Sequence, residues 1–132
     1  LAVIPLSRLV RVAGASESSR STFLALAAQV LRPSRGRVSF PSSAWAVLLP
    51  SLPLGFPQLT VLEALQVATM PAELAKRWGQ VLDLPLSKPV QLLGPGQMQE
   101  LTLVRTLMRD PAVLVLDRPL ALVSPARRQR LQ

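Results

Sequence analysis

The chain has 132 residues, is 49% hydrophobic and 4% aromatic, carries a formal net charge of +8, and contains neither cysteine nor histidine. That length suits one domain with a core of its own, and the two missing residue types exclude disulfides, imidazole ligands and imidazole acid–base chemistry. No apolar run approaches the roughly 20 residues of a membrane-spanning helix and no basic-then-apolar leader opens the chain; a soluble protein, or one held at a membrane only through a partner, is expected.

Leu9 to Ala13 is a short apolar run closing on Gly14, the pattern of a buried strand entering a loop. After the polar stretch from Ala15 to Ser19, residues Leu24, Ala27, Ala28 and Leu31 fall at helical spacing. They predict a helix from about Ser21 to Leu31, stopped by Pro33. Arg37 to Phe40 and Ala44 to Leu49 read as two more strands. Pro50 to Pro57 is a proline-rich loop. Thr60 and Glu63 form a capping box, and Val61, Ala64, Leu65 and Ala68 make the stripe of the helix behind it. A further helix is expected from Pro71, a favoured first helical position, to about Gly79. Residues 83–94 read as proline-interrupted connection. Leu101, Val104, Leu107 and Met108 mark a helix from Gly96, broken at Asp110 and Pro111. Ala112 to Leu116 is a continuous apolar strand ending on Asp117. Strand, glycine loop, helix, then later helix, strand and aspartate is the order of an α/β domain with a phosphate loop.

The positive charge is almost all arginine, with lysine only at Lys76 and Lys88. It is dispersed apart from Arg32, Arg35 and Arg37, and Arg127, Arg128 and Arg130. Aromatics are too few for a base-stacking platform, so nucleic acid is not the expected partner; a free-standing regulatory or nucleic-acid-binding protein is the reading its arginines would otherwise favour.

The stretch from Gly14 through Ser19, Arg20, Ser21 and Thr22 has the setting of a phosphate-binding loop, although taken alone it reads rather as an ordinary serine-capped helix start. The C-terminal third is more specific. Leu93, Gly94, Pro95, Gly96 and Gln97, the helix after them, Arg109-Asp110-Pro111, and 113–119 with Asp117 and Arg118 are similar to the signature motif, following helix and Walker B strand of the ATP-binding cassette (ABC) transporter family. Residues 56–63 resemble the segment after that family's Q-loop, and 31–38 resemble the turn after its first helix. The four segments stand in the family's order.

The resemblance implies an α/β, P-loop NTPase-like fold of the ABC ATPase type: one domain over 1–132, with a mostly parallel sheet flanked by helices and residues 50–95 as a reduced helical subdomain. It implies a cytoplasmic subunit, peripheral to the membrane, that pairs with another such domain and docks on a permease. It also places Gly14, Ser19, Arg20, Ser21 and Thr22 at the phosphates of ATP, Ser21 and Asp117 at Mg²⁺, and 93–97 against a partner's nucleotide.

Set against the family pattern, the chemistry-bearing positions are altered. Glycine positions of the loop hold Glu17 and Ser19, and the lysine position holds Arg20, whose planar fork is not an equivalent point donor. The Walker B glutamate position is Arg118, a cation where an acceptor must polarise water. The Q-loop glutamine position is Ser51, the D-loop aspartate position is Ser124, and no histidine exists to act as the family's switch. Gly94 and Pro95 stand for the signature serine and first glycine. Read alone, Asp117 also suits a strand-end carboxylate capping a loop, and Arg118 also suits a solvated surface charge. The departures imply a non-catalytic subunit with weak or absent ATP/Mg binding; a feebly active ATPase using Arg20, Ser21 and Asp117 is the alternative. An exposed apolar patch around Leu52, Leu54 and Phe56 is expected as the docking face.

Overall fold

The computed structural model describes residues 9–14, 16–41, 44–52, 55–68 and 70–130. Ser16, in extended conformation, accepts a hydrogen bond on its hydroxyl from the Ser19 amide (3.2 Å) and starts α1, Glu17–Ala27. Such a cap satisfies one of the amides left free at a helix start, and Glu17 in the first turn faces the positive end of the helix dipole. The helix therefore begins inside the stretch read as a phosphate loop, ahead of the expected Ser21. It ends at Ala27, before the expected Leu31, where Gln29 turns left-handed (φ 58) and its Nε2 donates to the Val38 carbonyl at 2.9 Å. None of α1's own residues is buried.

β1, Ala46–Leu49, follows. Thr60 then starts α2, Val61–Gln66, through the anticipated capping box. The Glu63 carboxylate accepts from the Thr60 amide at 2.7 Å and hydroxyl at 2.8 Å, while the Glu63 amide donates to the hydroxyl at 3.2 Å. The bond from the Thr60 amide, then that from its hydroxyl, holds the Glu63 carboxyl below its ordinary range. Pro71 introduces α3, Ala72–Val81, a single turn of tighter helix covers Val90–Leu92, and α4 spans Pro95–Leu107. β2 is Val113–Leu116, and a short helix absent from the sequence reading, α5, is Pro125–Arg130.

The main core lies among the helices. Leu65 and Val61 of α2, Ala75 of α3, and Leu101 and Val104 of α4 close on one another, with Val90 filling the space between. Leu65, Val61, Ala75, Leu101 and Val90 are all fully excluded from solvent. Burying a leucine side chain contributes roughly 1.5–3 kcal/mol. Gly79 lets Leu86 lie directly on α3: a methyl group there would stand 2.4 Å from a Leu86 Cδ atom.

β1 and β2 pair in parallel, from Ala46 opposite Val113 to Leu49 opposite Leu116. The Val113 amide to the Trp45 carbonyl (3.1 Å) and the Asp117 amide to the Leu49 carbonyl (3.0 Å) extend the ladder at both ends. The α/β expectation holds, with two of the expected strands absent. Residues 9–13 and 37–40 are not paired, and Leu9 is 98% exposed. A short apolar run becomes a strand only where a neighbour supplies its backbone partners, and among the described residues the sheet has two strands.

No described helix is long and apolar enough to cross a membrane. Of the expected patch, Leu52 is 73% exposed and Phe56 42%, with the Arg105 guanidinium 4.8 Å above the Phe56 ring. Leu54 lies outside the described residues.

Candidate functional site

The parallel register brings the two strand ends together, so the connections carrying Ser51 and Asp117 leave the sheet side by side. Asp117 is buried, and Arg118 Nε lies 3.9 Å from its Oδ1. Arg118 itself has a left-handed backbone (φ 51), a conformation rare for a long side chain. Its carbonyl is taken by Gln99 of α4. The fully buried Gln99 side chain donates from Nε2 to the Arg118 carbonyl (3.0 Å) and the Ser51 carbonyl (3.5 Å), and accepts on Oε1 from the Leu122 amide (2.9 Å). One neutral side chain thus ties α4 to both strand-end connections. Ser51 takes part through its backbone.

On the other side stands the start of α1. Ser19, Arg20, Ser21 and Thr22 are helical rather than curled in a loop. The Arg20 guanidinium turns back and donates from Nη1 to the Gly14 carbonyl, so its charge is applied to the chain's own backbone. The Ser16 hydroxyl already takes the Ser19 amide. Ser21 is half-buried and Thr22 exposed, and among the described residues no hydrogen bond or ion pair joins Ser21 to Asp117. What spans the gap is a pair of departures from the family pattern. Arg118 Nη1 donates to Glu17 Oε2 at 2.7 Å, across 101 positions of sequence.

The signature-like segment opens α4. Leu93 is half-buried, Gly94 precedes the helix, and Pro95 takes its first position, where a missing amide costs nothing. The Gly94 amide donates to Gln97 Oε1 at 3.3 Å. Gly96 packs on the chain itself: a Cβ there would stand 2.8 Å from the Leu122 carbonyl oxygen. Ser124 caps α5, its Oγ accepting from the Arg127 amide at 3.4 Å.

Two residues of this region carry no assigned role in the sequence reading. Glu100 is 1% exposed and meets Arg127 in a two-pronged ion pair, Nε to Oε1 at 2.8 Å and Nη2 to Oε2 at 2.9 Å. Arg127 Nη2 also donates to the Leu82 carbonyl at the end of α3. The hydrogen bond to Glu100 outweighs burial and raises the affinity of Arg127 for its proton. The available signal was an acid inside the apolar face of α4, since a buried carboxylate requires a cation. Its partner could not be read among several arginines.

No protein-family model matches the chain. It is 32% identical over 125 residues to the zinc import ATP-binding protein ZnuC of Paramagnetospirillum magneticum, a match covering 90% of this chain and 48% of that protein. It is 31% identical over 140 residues to the taurine import ATP-binding protein TauB of Mesorhizobium japonicum, covering 93% and 54%. It is 30% identical over 144 residues to the molybdenum import ATP-binding protein ModC of Methylococcus capsulatus, covering 89% and 39%. The chain spans about half the length of these relatives or less.

Proposed function

For a chain that is a relative of the ATP-binding subunits of ABC transporters, we propose the role of a non-catalytic nucleotide-binding-type subunit. Residues 1–132 act as one such domain, with 50–95 as its helical part. It works at the cytoplasmic face, paired with an intact ABC ATPase or docked on a membrane permease, and Leu52 and Phe56 contribute to the docking face. The membrane is reached only through that partner.

The observation that carries this reading is the Arg118–Glu17 contact at 2.7 Å. Hydrolysis needs an acceptor beside Asp117 to orient water; here the adjoining position is a cation committed to a carboxylate. That carboxylate stands at the start of α1, where a polyphosphate would have to lie. Like charges about 4 Å apart cost on the order of 1–4 kcal/mol at effective dielectrics of 80 to 20. Arg20, the remaining cation of the segment, is bonded to the Gly14 carbonyl. The residues at this place do not fit ATP with Mg²⁺ as they stand, and no chemical step is assigned to them.

Calorimetric titration of the protein with Mg-ATP, alongside a turnover assay, tests the proposal. The expected result is no saturable binding below roughly 1 mM, weaker than about −4 kcal/mol, and no turnover above a protein-free control. A micromolar Kd, or hydrolysis abolished by Asp117→Ala, overturns it.

A further inference from the structure

We propose that Arg118 is a ligand-independent latch: its side chain on Glu17 and its backbone on Gln99 hold α1 to the end of β2 and to α4 with no bound anion. Three observations combine. First, α1 buries none of its own residues. Leu24 to Ala27 are half-buried and α1 packs on β2, but a helix of such length is marginal by itself in water, so what grips its ends adds to that partial packing. Its C-terminal end has Ala28, 7% exposed, and the Gln29 side chain on the Val38 carbonyl. Its N-terminal end has the Glu17–Arg118 pair at 2.7 Å.

Second, Arg118 is set for this contact by its backbone. The residue holds a left-handed φ of 51, and the Gln99 amide group fixes its carbonyl at 3.0 Å. Gln99 is fully buried and also grips the Leu122 amide at 2.9 Å. The connection leaving β2 is therefore held at the arginine and again at Leu122. Holding a left-handed residue against relaxation requires such surroundings.

Third, Glu17 sits in the first helical turn, where a negative charge faces the positive end of the helix. A helix start of this kind commonly receives an anion from outside; here the chain supplies its own carboxylate, and Arg118 completes the charge balance. The latch builds on the reading of the site above, but it is a claim about the protein without nucleotide.

Hydrogen exchange of the whole chain without nucleotide tests it, with Glu17→Gln, Arg118→Gln and the double variant. Each single change should speed exchange of the α1 amides about threefold, within the range a half-exposed ion pair permits. The double variant should exchange no faster than either single one, because both remove the same contact. Salt at about 1 M should bring the unmodified chain toward the variants and leave the double variant unmoved. Protection of the α4 amides serves as the control for folding and should not change. Unaltered α1 exchange in Arg118→Gln, or effects that multiply in the double variant, overturns the latch. Mg-ATP binding by the unmodified chain would sink the functional reading above while leaving this exchange result as measured.

Discussion

At the scale of single residues, the ion pairs separate by burial. Glu17 and Arg118 keep much of their surface in water, so their contact acts by position. Glu100 is sealed against solvent and has Arg127 as its two-pronged partner. Removing one member of a buried pair strands the other, which is costlier than the pair's net contribution. Arg127→Met should lower unfolding free energy by about 3 kcal/mol, measured by urea denaturation. Glu100→Met in that background should recover a large part of the loss; a single-variant loss under about 1 kcal/mol would mean water reaches the carboxylate. Candidate positions in the chain's two ends could be named residue by residue, because motif order survives substitution. The contacts that decide their meaning were not. Glu17 and Arg118 are 101 positions apart, and Glu100 and Arg127 are 27 apart. Nothing local to an arginine says which acid it will meet.

At the scale of elements, legibility follows how local the determining forces are. α2, α3 and α4 were readable because capping, a leading proline and a helical stripe act within a few residues. β2 was readable from its unbroken apolar run. Residues 9–13 carry the same kind of run and remain unpaired, since pairing is decided by a distant partner. The start of α1 was misplaced because a serine-capped helix start resembles the Ser-Thr end of a phosphate loop, and Glu17 in place of glycine tips the local balance toward helix. The capping box of α2 gives this scale its test. Glu63's folded carboxyl lies below its ordinary value of 4.5, so its contribution is fully present above that value and fades as pH falls through the folded one. The stability advantage of the unmodified protein over Glu63→Gln should therefore hold at neutral pH and shrink below about pH 4.5. Thr60→Ala should cost about 1 kcal/mol at neutral pH. A gap between the unmodified protein and Glu63→Gln that stays constant from pH 7 to about pH 3 would contradict the assignment.

At the scale of the whole molecule, two structures of different reach share one chain. The helical core gathers residues from Val61 to Val104, nearly contiguous in sequence. The sheet instead joins Ala46–Leu49 to Val113–Leu116, on opposite sides of that core in the sequence. Chain-closure entropy makes near neighbours cheap to assemble and distant strands slow. The order of events in refolding follows: the helical block should condense in the rate-limiting step, and the two strands should zip together afterwards. Leu65→Ala, a cavity change costing about 2–5 kcal/mol, should then act chiefly by slowing refolding. Val115→Ala, in β2, should leave refolding nearly unchanged and act by hastening unfolding. Stopped-flow measurements of both arms for the two variants distinguish them, and the reverse pattern would place the strands in the nucleus. A chain that folds in this order completes its helical block first, and the strand ends bearing Ser51 and Asp117 meet only in its last step.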